Sequence, residues 1–198
     1  PVTRSSKAWV IGGNTNMPRD IRIHWAVPVA SEFHARFSAQ ARCYRYVIAN
    51  TPIRSALLQA QVSWHRRELD ARAMHSAAQA LLGERDFSAF RAASCQSRTP
   101  MRNVQFIEVK RRGDLLILEI LANAFLHHMV RNIAGALLSV GDGRNPINWI
   151  ADLLAGRDRS AAAETAPASG LYLVDVQYPD HFGLPHTPYG PPLLGTKP

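Results

Sequence analysis

The sequence predicts an α+β fold, a largely antiparallel sheet backed by helices, and three observations predict it. Apolar or alternating runs of strand length outnumber helical ones. Two of them, Asn103 to Arg111 and Leu115 to Leu121, flank Arg112-Gly113-Asp114 and read as a β-hairpin. Successive strands mostly meet through hairpins, which makes the sheet largely antiparallel with the helices behind it.

The 198 residues, 46% hydrophobic and 19% charged, hold enough apolar material for a substantial core. Lys and Arg (23) exceed Asp and Glu (15), a net charge of +8, which favours a polyanionic partner, nucleic acid before an anionic membrane. Cys43 and Cys95 stand alone without a Cys-x-x-Cys pattern, as reduced thiols of a cytoplasmic protein do. No signal peptide and no apolar run of 18 residues is present, so a soluble protein is expected. The chain opens on a proline, and an upstream segment is expected.

Residues Pro1 to Gly13 give no firm element, and Asn14 to Asp20 form a turn-rich connector. Ile21, Ile23, Trp25 and Val27 alternate as a half-buried strand that stops at Pro28, and Ser31 to Gln40 is an irregular linker. Ala41 to Asn50 reads as a strand with Arg42, Tyr44, Tyr46 and Ile48 on one face. A cationic, aromatic face is a surface on which a nucleobase can stack; half-buried tyrosines that merely favour strands are the alternative. Val62 to His65 is a short strand, and Leu69 to Gly83 a helix capped by Asp70. Arg85 to Arg102 is a loop in which Phe87, Phe90, Arg91, Arg98 and Arg102 suit either RNA contact or simple solvation. Asn145-Pro146 opens a helix to Gly156, Ser160 to Thr165 is a candidate short helix, Leu171 to Tyr178 a last strand, and the final twenty residues an extended tail.

The stretch Asn123 to Gly135 carries the sharpest signal. Asn123 as N-cap and Phe125, Met129, Ile133, Ala136 and Val140 at helical steps predict a helix to Val140, stopped by Gly141. Arg131 shares its face with His127 and Gly135, and the whole helix lacks Asp and Glu. A guanidinium held against a core needs a partner, because stranding it costs roughly 3–5 kcal/mol. That partner must come from another segment or a ligand, unless the side chain runs along the surface to water. Gly135, one turn on, admits a close approach by another backbone or a substrate.

Several chemistries have no support. There is no His-Glu-x-x-His, Gly-x-x-x-x-Gly-Lys, Gly-x-Gly-x-x-Gly or Gly-x-Ser-x-Gly. His127 and His128 diverge by about 100° on a helix, a poor arrangement for one metal. Asp20, Asp70, Asp114 and Asp142 sit at turns or caps, so no carboxylate stands out as a catalytic acid or base.

Four separated motifs then become informative together. Phe33-His34-Ala35-Arg36-Phe37-Ser38-Ala39 running into Arg42-Cys43-Tyr44-Arg45-Tyr46, Gln96-Ser97-Arg98-Thr99-Pro100, His127-His128-Met129-Val130-Arg131-Asn132-Ile133, and Gly170-Leu171-Tyr172-Leu173 resemble, in order and spacing, the bacterial tRNA pseudouridine synthase A family. The resemblance implies a ferredoxin-like homodimer that isomerises uridine to pseudouridine at positions 38, 39 and 40 of the tRNA anticodon stem-loop, without cofactor or metal. It implies that Tyr44 stacks on the uracil and helps remove the C5 proton, that Arg131 pairs with and orients a catalytic aspartate, and that Leu171 lies on the other side of the base. His34, Arg36, Arg42 and Arg98 become contacts to the RNA. The family's aspartate lies in a Gly-Arg-Thr-Asp-Ala-Gly-Val-His loop that these residues do not contain. Residues 1–30 are then expected to be the remnant of a first domain, 31–180 a C-terminal synthase domain and 181–198 a tail. A chain without that aspartate is expected to be inactive alone. A non-catalytic RNA-binding module derived from the enzyme is the alternative, and a folded piece with little affinity a third.

Overall fold

Tyr46 and Val47 are neighbours on one strand, both wholly buried, and each enters a different core. In the computed structural model, which describes residues 4–185 and 190–195, this strand, β1 (Ala41–Asn50), is the most extensively paired of the sheet. Along one edge it pairs antiparallel with β5 (Leu115–Ala122), from Arg42 opposite Ala122 to Ala49 opposite Leu115. Two strands share its other edge. β6 (Leu171–Gln177) runs antiparallel beside Ala41 to Tyr46, and β2 (Ser63–His65) runs parallel beside Ile48 to Asn50. β4 (Met101–Arg112) forms the expected hairpin with β5, and β3 (Gly83–Asp86) lies beyond it. The order is β2-β1-β5-β4-β3 with β6 on β1, which among the described residues makes six strands with one parallel pairing, β1 with β2. The α+β expectation holds.

Alternation along the strands builds the two cores. Tyr46, Ile48, Leu116, Leu118 and Ile120 face α2 (Ala71–Ala78), α3 (Met129–Gly141) and α4 (Trp149–Gly156). Burying one such Leu or Ile side chain stabilises the fold by roughly 1.5–3 kcal/mol. On the opposite face Val47, Ala49 and Val62 meet Leu194 of the tail, which Arg112 anchors by donating to the Leu194 carbonyl.

The chain divides into two compact units, 1–39 with 178–186, and 40–177 with 187–198. In the first, α1 (Ser6–Asn16) is capped by Ser5, whose hydroxyl accepts from the Ala8 amide. Its Gly-Gly-Asn run hides it from a periodicity reading, and none of its residues is buried. The strand expected from Ile21 to Val27 does not form: the segment has no regular secondary structure, and its Ile23 main chain exchanges both hydrogen bonds with the Asn14 side chain instead of a ladder. Phe33 packs against Tyr178 and Phe182, and the Tyr178 hydroxyl donates to Ala35 O.

Three further expectations need correction in the second unit. The Leu69–Gly83 helix is shorter, closing in a 3-10 turn at Gln79–Leu81, because Gly83 at positive φ starts β3. Phe87 and Phe90 are core side chains, not base contacts. Ser160 to Thr165 is irregular rather than helical.

Asp142, just past α3, joins that helix to β2. Arg144 Nε donates to both carboxylate oxygens at 2.8 Å, and His65 Nε2 approaches to 3.3 Å. Burial alone would raise the Asp142 carboxyl, but the Arg144 hydrogen bonds and the Arg144 and His65 charges outweigh it and hold it below its ordinary value. Burial is also the largest influence on His65 and keeps that imidazole below its usual range despite the carboxylate. Both signs act the same way. Asp142 stabilises the fold above its unfolded pKa, about 3.9, and His65 above about 6.5, so stability falls as pH drops through these ranges. Melting temperature is expected to fall steadily from pH 7 to about pH 2, and Asp142→Asn to flatten the part below about pH 4; an unchanged acid limb in the variant refutes the assignment.

Candidate active site

α3 does not begin where the sequence places it. Asn123 caps nothing helical: its Oδ1 accepts from Asn103 N at 3.0 Å and Ala124 N at 2.8 Å, tying the end of β5 to β4. The helix starts only at Met129, after His128 in the left-handed region. His127 therefore lies outside α3, where its amide donates to Cys95 Sγ at 3.4 Å, and it shares no helical face with Arg131. The six residues gained let Leu126 reach the core before the helix begins.

Arg131 sits in the first turn of α3, half-buried. Its Nε donates to Ala166 O at 2.7 Å, and its own carbonyl accepts from Ala166 N at 3.2 Å. Residue 166 is thus gripped by both the side chain and the main chain of one arginine. Among the described residues no Asp or Glu forms an ion pair with Arg131. The other segment expected to partner it does so with a neutral carbonyl, which leaves the two terminal amines for a carboxylate. With Nε occupied, such a carboxylate must bind end-on, across both Nη atoms.

Gly135, one turn further, is where the backbone passes over the helix. A Cβ there would lie 2.1 Å from Glu164 O. Gly135→Ala is expected to push residues 164–166 off α3 and to cost about 1–3 kcal/mol or more, as overpacking against a backbone does. Urea unfolding of this chain measures it, and a wild-type midpoint contradicts the close approach. Gly170 is constrained similarly, since its Cβ would meet Val47 O at 2.6 Å in the fork between β6 and β2.

Tyr44 lies on the helix-side face of β1, half-buried, with its ring edge-on to Phe125 at 5.0 Å. Its hydroxyl has no hydrogen-bond partner among the described residues. Burial pushes the phenol upward, opposed by the Arg42 charge, so the neutral form persists at physiological pH. Across β6, Leu173 stands opposite Tyr44 and Leu171 opposite Tyr46, which puts both leucines on the tyrosine face. Leu173 is 53% exposed, and Leu171 packs partly on the core. Tyr46 plays a different part. It is fully buried and donates to Pro167 O at 2.7 Å. Burial pushes its phenol up, while Ser63 and the Arg131 charge pull it down, so the guanidinium lies near this second tyrosine of the same face. Of the two tyrosines, only Tyr44 keeps accessible surface.

The remaining expected contacts belong to separate segments of the chain. Arg42 donates to Asn123 O at 2.9 Å. Arg98 is exposed in the 91–100 loop, whereas Arg91 and Arg102 are spent inside it, Arg91 on the Cys95 and Ser97 carbonyls and Arg102 on Thr99 O and Ser97 Oγ. His34 and Arg36 are exposed in the first unit, where His34 Nδ1 accepts from the Arg36 and Phe37 amides and Arg36 lies over the Phe37 ring at 5.7 Å. The Ala166 carbonyl and the pairing of Phe125 and Leu173 with Tyr44 have no signal in the sequence, and Tyr46, expected beside Tyr44 on one face, is buried and bonded to Pro167 O. The register that brings these groups together is not written in any local pattern. Among the described residues no three His, Cys, Asp or Glu side chains gather closely enough to hold a metal ion, and no helix is long and apolar enough to cross a membrane.

Comparison with known proteins bears on this geometry. Residues 77–179, which contain α3, Arg131 and β6, match the family model described as tRNA pseudouridine synthase. A relative from Actinobacillus pleuropneumoniae (serotype 3, strain JL03), named tRNA pseudouridine synthase A, is 57% identical over 191 residues, 96% of this chain and 73% of its own. One of the same name from Histophilus somni (strain 129Pt) is 56% identical across 97% of this chain and 71% of its own. Another from Legionella pneumophila (strain Corby) is 53% identical across 98% and 74%.

Proposed function

This chain belongs to the tRNA pseudouridine synthase family, and from that premise we propose that the Tyr44 face of β1 receives a uracil of the tRNA anticodon stem-loop, at positions 38, 39 and 40. The single observation that carries this reading is the Arg131 guanidinium: pinned through Nε, it offers both terminal amines and has no carboxylate among the described residues. The nucleophile it would serve is the family's aspartate, in a loop the 198 residues do not contain. Turnover is therefore assigned to a polypeptide carrying both parts, the full-length enzyme below, and these residues alone are expected to bind RNA without isomerising it.

In the reaction the N1–C1′ bond of uridine breaks, the uracil turns, and C5 bonds to C1′. The C5 proton leaves and N1 gains one, so atoms balance without an outside reagent. Arg131 holds the carboxylate end-on, fixing its approach and keeping it ionised by the opposite charge. Tyr44, opposite the apolar Leu171 and Leu173 side, confines the turning base. Its neutral phenol relays the C5 proton, the lone pair accepting as the O–H donates to a solvent water, and N1 takes its proton back from solvent. Arg42, Arg98, His34 and Arg36 contribute backbone contacts, consistent with the net charge of +8. A homodimer acting in the cytoplasm, with residues 1 to about 30 belonging to a first domain, completes the proposal.

The test is to map pseudouridine in tRNA transcripts treated with full-length enzyme. Product at positions 38–40, abolished when those uridines become cytidines, is expected; product confined to another arm overturns the substrate assignment.

A further inference from the structure

The carbonyl that pins Arg131 must itself be held in place. Ala166 lies in an irregular segment, 157–167, and such a segment is fixed only by what its polar groups meet. Arg159 does most of the fixing. Its Nη1 donates to Ala163 O at 2.9 Å, and its Nη2 to Thr165 Oγ1 at 3.1 Å and Asn132 Oδ1 at 3.2 Å. The Thr165 hydroxyl donates to that same Asn132 oxygen at 2.7 Å. Asn132 is fully buried, and its amide donates to Phe90 O at 2.8 Å, so it offers an immobile anchor.

Two adjacent residues of α3 thus grip two adjacent residues of the loop. Asn132 holds Thr165, and Arg131 holds Ala166. Among the described residues Arg159 forms no ion pair, and its three charge-assisted hydrogen bonds all go to neutral oxygens of the loop and of Asn132, so its charge is spent on holding the loop rather than on a carboxylate. What a guanidinium adds is geometry: one rigid plane ties three acceptors from the loop and the helix into a single arrangement.

We infer that Arg159 is a positioning residue for Arg131: it clamps 163–165 to Asn132 so that the Ala166 carbonyl sets the plane of the Arg131 guanidinium and aims its Nη edge at the catalytic carboxylate. The inference rests on the proposed function, because turnover is its readout.

The experiment uses full-length enzyme bearing Arg159→Ala, Thr165→Val, Arg131→Ala, and Arg159→Ala combined with Arg131→Ala, and follows kcat, KM for tRNA, single-turnover rate and Tm. Arg159→Ala is expected to lower kcat about 10- to 100-fold with KM within about threefold of wild type, the split that misplacement of a catalytic group produces. Arg159→Lys stays low, since one ammonium cannot span the three acceptors, whereas added methylguanidine restores part of the Arg159→Ala rate. In the Arg131→Ala background the second substitution costs less than about twofold, because its target is gone. Thr165→Val keeps the shape and gives the same split, smaller, which covers the case of an Arg159→Ala protein that does not fold. Equal losses in both backgrounds, a wild-type kcat in Thr165→Val or Arg159→Ala, or a loss confined to Tm or KM overturns the inference. If wild-type enzyme makes no pseudouridine, the functional reading fails and takes this one with it. If wild type and Arg131→Ala behave as expected and Arg159→Ala does not, only this inference fails.

Discussion

Tyr44→Phe in the full-length enzyme is expected to abolish pseudouridine formation while leaving tRNA affinity within about threefold of wild type, the pattern of a group that acts in the transition state. The substitution removes one oxygen and keeps the ring. Packing on Phe125 and any stacking on uracil survive, so binding has little to lose. The hydroxyl makes no hydrogen bond among the described residues, so its deletion strands no protein partner and costs the fold little. What goes is the proton relay at C5, and positioned acid–base groups contribute about 10²- to 10⁴-fold. Because burial raises the phenol and keeps it neutral, the wild-type rate is expected to show no loss through mildly alkaline pH that traces to Tyr44. Equal loss of binding and turnover would instead make Tyr44 a stacking surface without a chemical role.

Arg131→Lys is the second large effect. Lysine keeps the charge but cannot donate to Ala166 O while presenting two parallel N–H groups to a carboxylate. Breaking such a partly buried pair costs roughly 3–5 kcal/mol, which corresponds to a fall of roughly 10²- to 10³-fold or more in rate. Arg131→Ala is expected to fall further and to loosen residue 166, which keeps its main-chain bond to position 131 but loses the Nε one. A near-wild-type rate in Arg131→Lys would show that the end-on pair is not what the guanidinium is for.

How much of this was legible in the residues can be traced element by element. The β4–β5 hairpin, the strand around Tyr44 and the short strand at Val62 to His65 follow from alternation and turn chemistry, because there the local pattern and the tertiary demand agree. The arginine in a helix devoid of acids was visible too, and Gly135 one turn away marked the approach that Glu164 makes. What could not be read is what depends on the register between distant segments. Nothing local says that Leu173 faces Tyr44, that the bulge at Cys43/Tyr44 resets β6, or that Ala166 arrives over Arg131. Asn123 is the instructive failure: a good N-cap by type, it spends its side chain on a cross-strand amide, and the helix starts where Leu126 has already reached the core. Ile21 to Val27 fails for a related reason, since alternation supplies a face but not a partner strand.

The most direct test of the central claim is release of the C5 hydrogen as tritium from tRNA carrying [5-³H]uridine, followed in parallel for the full-length enzyme and for these 198 residues alone. The reading built on Arg131 and Tyr44 predicts stoichiometric release from the former and none from the latter, even where the latter binds the anticodon stem-loop. Sustained release by the 198 residues would mean that their nucleophile lies within them, and that the open edge of the Arg131 guanidinium awaits nothing.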